Sequence, residues 1–244
     1  MIRVGIGGWS YEPWWETFYP ADLPKAKELE YASRQVTSIE INATFYRTQS
    51  AASFKKWAAA TPDDFMFSVK APRAAVQRKD LREAKDSIEW FLNSGIGELG
   101  SKLGPIFWQM APYKKFDAAE MEAYFDLLPE KLGKLRLRHA LEVRHDSFAC
   151  DAFLALARAR NIAVATVESE KHPLIVAPTA DFAYARLERA KADEPTGYSQ
   201  PALKKWAETA RAWEKSGDVF LYFISGAKER NPAAAAAMLE LLKA

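Results

Sequence analysis

The chain has 244 residues, 49% of them apolar and 27% charged, which is enough to bury a sizeable core under an ordinary globular surface. Its 34 basic and 32 acidic side chains leave a formal net charge of +2, which excludes a global electrostatic pull toward nucleic acid or membrane; any anion site has to be a local cluster. The single cysteine, Cys150, excludes an internal disulfide and suits a reducing compartment, and no apolar run approaches the ~20 residues that span a bilayer. With no basic-then-apolar leader at the N-terminus, a cytoplasmic location is expected.

Short β-rich runs alternate with amphipathic stretches along the chain. The runs are Ile2–Gly7, Ser38–Thr44, Phe65–Lys70, Pro105–Met110, Ala140–Arg144, Ala163–Glu168, Phe182–Glu188 and Val219–Ser225. Helical stretches are expected at Lys25–Arg34, Ser53–Ala60, Leu81–Ser94, Ala118–Leu128, Asp151–Arg160, Leu203–Lys215 and Pro232–Lys243. This alternation implies parallel strands with helical crossovers, and eight such units close into a (β/α)8 barrel spanning 1–244 as one domain. One crossover is irregular: Pro173 and Pro178 interrupt the segment after Glu168, so no regular helix is expected between strands six and seven. An open dinucleotide-binding sheet is the rival fold. Its glycine fingerprint fails at Ser10, and Trp9 and Tyr11 would crowd a pyrophosphate.

Residues two apart on a strand share a face. In the second run Ile39 and Ile41 suit the helix layer, so Glu40 and Asn42 point inward. By the same rule Glu142 and Arg144 point inward from the fifth run, and Tyr184, Arg186 and Glu188 from the seventh. Lys70 ends the third run and Gln109 lies near the end of the fourth. A carboxylate inside a barrel is costly unless paired or solvated. Polar groups from separate strands near their C-terminal ends therefore read either as a site or as an ion-pair plug. The site reading makes Glu40, Glu142 and Lys70 the catalytic candidates, with Glu40 or Glu142 as base. Arg144, Arg186 or Lys70 would hold a phosphate or carboxylate, while Asn42, Tyr46 and Gln109 complete the pocket. A Schiff-base role for Lys70 is a minor alternative.

The first loop carries Trp9, Tyr11, Trp14, Trp15, Phe18 and Tyr19. It reads as a hydrophobic lid, with Trp9 and Tyr11 kept as ligand contacts. After the eighth run, Ser225–Gly226 turns into the last helix, where Lys228 and Arg230 could help to hold an anion. His139, His145 and His172 lack ligand spacing, so no histidine-based metal and no cofactor is expected, though a carboxylate-bound magnesium stays open. Cys150 reads as a structural thiol.

Taken together, these segments resemble the YecE-like family, also catalogued as domain of unknown function 72. The similarity runs through Gly8-Trp9, Tyr11, Phe18-Tyr19-Pro20, Glu40–Tyr46, Phe67–Lys70 and Lys102–Pro105 with Gln109. It continues through Glu142–Phe148, Tyr184–Arg186 and Gly197–Ser199. The resemblance implies a TIM-like barrel and no established activity. The chain departs from the usual pattern at Glu168-Ser169, at Leu187–Arg189 and at Ile224–Lys228, all on the candidate face. The expectation is an enzyme, a hydrolase or lyase acting on a small anionic or sugar-like ligand. The alternatives are a nucleic-acid-binding or phosphodiester-processing protein and a non-catalytic ligand binder. The oligomeric state is open.

Overall fold

Eight strands form one parallel sheet that curls onto itself in the computed structural model, which describes residues 1–15 and 17–243. Glu16 and Ala244, both inside the expected domain span, lie outside the described residues. The strands are β1 (Ile2–Gly7), β2 (Ser38–Ile41), β3 (Met66–Lys70), β4 (Leu103–Gln109) and β5 (His139–Glu142). They continue with β6 in two pieces (Ala163–Val164 and Thr166–Glu168), β7 (Phe182–Leu187) and β8 (Asp218–Phe223). β1 pairs with both β2 and β8, which joins the first strand to the last. The first piece of β6 pairs with β5 and the second with β7, so the ring closes through Ala165, whose N–H donates to the Leu141 carbonyl at 2.8 Å. The structure is thus the irregular TIM-like barrel that the alternation predicts.

The strands stay put because both faces are filled. Outward side chains such as Ile39, Ile41, Leu141 and Ala185 pack against the helices in one large core. Inward side chains form a second core in which small residues oppose large ones. Ala140, Ala163 and Ala165 leave room for Phe107, Tyr184, Phe220 and Tyr222. Phe107 stacks on Tyr184 with centroids 5.1 Å apart. Tyr222 shares its hydroxyl with Ser38 and Ser68 at 2.6 Å each. Its ring occupies the space beside Gly5, where a Cβ would stand 2.2 Å from the Ser38 carbonyl oxygen and 2.9 Å from the Tyr222 ring.

Helices follow the expected positions with shifted ends. Ala51–Ala60 is capped by the Ser50 hydroxyl, Ala118–Asp126 by the Asp117 carboxylate and Gln200–Glu214 by the Ser199 hydroxyl. Strand two is shorter than expected: it stops at Ile41, and Ala43–Tyr46 turns into a short helix. Strands five and eight also stop early, at Glu142 and Phe223, and Ser225 adopts φ = 64° at the start of a left-handed turn with Gly226. A small hairpin, Lys131–Leu132 with Leu135–Arg136, was not anticipated from the sequence.

The connection over 169–181 contains no helix or strand among its described residues. It is strapped to β6 by side-chain bonds instead: the Val164 N–H donates to the Thr179 hydroxyl, and the Thr166 hydroxyl donates to the Ile175 carbonyl. No helix is long and apolar enough to cross a membrane among the described residues.

Candidate functional site

A cavity of about 900 Å³ opens at the C-terminal ends of the strands, the end where barrels of this class assemble sites from loops. Of the candidate site residues, Asn42, Tyr46, Lys70, Gln109, Arg144, Arg186 and Lys228 line it. Glu40, Glu142, Trp9 and Tyr11 do not, and each has a physical reason.

Glu40 and Glu142 lie beneath the floor, each 0% exposed. Their oxygens are already engaged. Glu40 accepts from the Tyr184 hydroxyl at 2.6 Å and from Arg186 Nε at 3.2 Å. Glu142 accepts from Gln109 at 2.9 Å, from Arg186 Nη1 at 2.6 Å and from Arg144 Nε. Burial pushes the Glu142 carboxyl up, but the Arg186 and Arg144 guanidiniums overcome that and hold it at about 2. The two carboxylates read as candidate bases thus spend their oxygens on fixing two arginines beneath the floor. Burial alone would lower the Arg186 pKa, yet Glu40, Glu142 and Glu188 raise it. Its guanidinium lies 4.8 Å from the centroid of Phe107, the ring stacked on Tyr184, so the arginine rests on a packed aromatic floor.

Trp9 turns away from the mouth. Its ring meets Trp57 edge-on at 5.1 Å and packs toward Phe67 in the helix layer. Tyr11 acts at one remove: its ring lies 4.2 Å under the Lys228 ammonium, and Trp14, fully buried, donates from Nε1 to the Lys228 carbonyl at 2.9 Å. The aromatic loop is a cradle that delivers Lys228 to the cavity wall. Burial lowers the Lys228 pKa.

Lys70 is the unusual member. It is 8% exposed and sits 4.3 Å from the centroid of Phe45. Among the described residues its ammonium has neither a hydrogen-bond nor an ion-pair partner. Burial, then the Arg186 charge, pull its pKa down to about 8, with Glu40 and Glu142 opposing.

The cavity also holds residues that strand parity did not bring out as site members. Glu188 lines it, accepting from Arg186 Nη1 at 2.7 Å through one oxygen. Burial raises the Glu188 pKa, with Arg186 opposing and Glu142 reinforcing. The inward alternation of the seventh run placed Glu188 on this face, but nothing in the sequence set it above Glu40. Lys171, His172, Arg189, Lys191 and Asn231 come from loops and a helix start, where no periodicity signals them. Seven cations line the cavity against the lining carboxylates Glu170 and Glu188. Counting the two carboxylates beneath the floor, the cations exceed the anions by three. Arg230 points elsewhere, to the Ala192 carbonyl. His139 lies on the helix side, where its ring accepts from Trp108 and meets the Pro129 carbonyl. Among the described residues no three His, Cys, Asp or Glu side chains are grouped to hold a metal ion.

Comparison with known proteins gives a consistent family signal. The family model described as protein of unknown function DUF72 matches residues 3–244. The UPF0759 protein YunF of Bacillus subtilis is 28% identical over 159 residues, covering 63% of this chain and 54% of that protein; the matched part thus spans about half of the relative's length. A solved DUF72 family protein from Thermotoga maritima superposes with a TM-score of 0.82 at 23% identity, covering 100% of both chains. Another from Enterococcus faecalis does so with a TM-score of 0.78 at 16% identity, covering 100% of this chain and 96% of that one. At these identities the solved structures speak for the fold.

Proposed function

We propose, for a chain that belongs to the DUF72 family of proteins of unknown function, that the mouth cavity binds a small anionic ligand and exchanges protons with it as a hydrolase or lyase. The observation that carries this reading is the unpaired Lys70 ammonium, buried among surplus cations at the base of an open cavity. A largely desolvated ammonium with no direct carboxylate partner in a cavity is a functional-site signal, and an anionic ligand would supply the direct counter-charge.

Environments that push two titratable groups in opposite directions mark an acid and a base. Lys70, at about 8, is mostly ammonium at neutral pH and can donate a proton to a leaving oxygen. Glu188 keeps one carboxylate oxygen on the cavity side and can accept one. This moves the base from Glu40 or Glu142 to Glu188, the carboxylate just past the end of β7, which lines the cavity. Arg186 and Arg144 would hold the ligand's charge, locked in place by the buried glutamates. A cytoplasmic setting goes with this reading.

The test is isothermal titration with phosphate and carboxylate ligands at low salt. Binding should weaken at least about tenfold in Lys70→Met. Glu188→Gln should keep binding but lose turnover in a screen of hydroxy acids and phosphate esters. An unchanged affinity in Lys70→Met sinks the proposal.

A further inference from the structure

Five buried side-chain polar atoms lack a hydrogen-bond partner among the described residues, and two of them belong to residues lining the mouth cavity: Asn231 Oδ1 and His172 Nδ1. Both offer lone pairs. Asn231 is 1% exposed and spends its amide N–H on the Ser225 carbonyl at 3.3 Å, which leaves the oxygen without a donor. Burial and the Arg144 charge lower the His172 pKa, which favours the neutral ring; a neutral imidazole carries one acceptor nitrogen, and Nδ1 is a ring nitrogen left without a partner among the described residues.

A cavity lined by excess cations has no electrostatic need for stranded acceptors. A simple anion would satisfy Lys70 and Lys228 and leave both acceptors bare, and a bare buried acceptor is unfavourable. A ligand that satisfies everything must present concentrated negative charge and also O–H donors. Resting on the anion-binding reading above, we infer that the ligand is a phosphorylated polyol or sugar, its phosphate among the cations and its hydroxyls donating to Asn231 and His172. A phosphate monoester carries about −1.5 to −2 charges near neutral pH, which suits a surplus of three cations better than one carboxylate does. Asn231 opens the helix Asn231–Lys243, after the left-handed Ser225–Gly226 turn and the 3-10 turn Lys228–Arg230. Its side chain is buried and held by the hydrogen bond to the Ser225 carbonyl.

The experiment compares three probes on the full chain at low salt by isothermal titration: inorganic phosphate, hexyl phosphate and sorbitol 6-phosphate. The two esters share a six-carbon chain and a phosphate and differ in hydroxyls. Sorbitol 6-phosphate should bind about tenfold or more tightly than hexyl phosphate, because a site built for hydroxyl donors rejects analogues that lack them. Asn231→Ala should shrink that ratio severalfold while leaving inorganic phosphate unchanged. The wild-type comparison stands without the variant should it fold poorly. Equal affinities for the two esters overturn the hydroxyl assignment and leave anion binding intact. Failure of all three probes removes the anion-binding reading itself, and this inference with it.

Discussion

Arg186 Nη1 lies 2.6 Å from Glu142 Oε2, with the two side chains 4% and 0% exposed, and the same nitrogen reaches Glu188 at 2.7 Å. One guanidinium nitrogen thus ties a sealed carboxylate to one that faces the cavity. Removing one member of a buried pair typically costs about 3–5 kcal/mol, toward the lower end here because Arg186 keeps Glu40 and Glu188. Glu142→Gln should therefore lower the urea midpoint markedly. The cost should shrink in acid. The folded pKa of Glu142, about 2, lies below the usual carboxylate value of 4.5, so its contribution is present above 4.5 and is lost as pH falls toward 2. Denaturation curves of both proteins between pH 6 and pH 2.5 check this; parallel losses in the two would contradict it.

Lys70→Met is expected to stabilise the protein at pH 7. The folded pKa of Lys70 is depressed from 10.5 to about 8, so folding carries a penalty for holding the ammonium below pH 8. Between about 8 and 10.5 the unfolded chain binds the extra proton, and the wild-type protein gains stability as pH rises. The advantage of the variant, on the order of 1–3 kcal/mol at pH 7, should fade by pH 10. Melting temperatures measured on both proteins across that range decide it.

Replacing Tyr11 by leucine should leave the fold intact and weaken anion binding. The ring holds Lys228 by a cation–π contact of about 0.5–2 kcal/mol, which corresponds to a few-fold to roughly thirtyfold loss. Trp9→Leu should instead affect stability, since Trp9 packs on Trp57 in the helix layer. The two variants, compared by titration and by thermal melting, should show opposite profiles.

Gly5→Ala should destabilise by more than the usual 1–3 kcal/mol of an overpacked core. The added methyl meets a backbone carbonyl that has no rotamer to escape into. Gly8→Ala, at an open turn with φ = 74°, should cost less, about 1 kcal/mol. Chemical denaturation of the two variants ranks them.

Strand parity made the architecture and the inward polar residues legible. Ile39 and Ile41 point one way and Glu40 the other, and no tertiary context reverses an alternation that clear. What parity cannot give is which inward groups stay open. Glu40, in register with Gly7 and Ser68, and Glu142, in register with Gln109, are covered by Tyr184, Arg186 and Arg144, while Glu188, two residues beyond Arg186, lines the cavity. That covering depends on pairings spread over the whole chain. The role of Tyr11 was hidden for a related reason: the cation it carries, Lys228, is at the far end of the sequence. His172 and Asn231 lie outside any periodic element, so their unpaired atoms became visible only in three dimensions.

The seam between β1 and β8 sets a schedule for assembly. Met1 and Asp218, linked across it, stand 217 residues apart in the sequence. During synthesis the first strand must wait, one edge unmatched, until Asp218–Phe223 has emerged. Because the wall carrying Lys228 and Asn231 follows the final strand, the cavity is complete only after that late docking. A ribosome-bound intermediate lacking β8 would thus be exposed to misassembly, and the long loop closure that seals the ring should make ring closure the slow step of refolding.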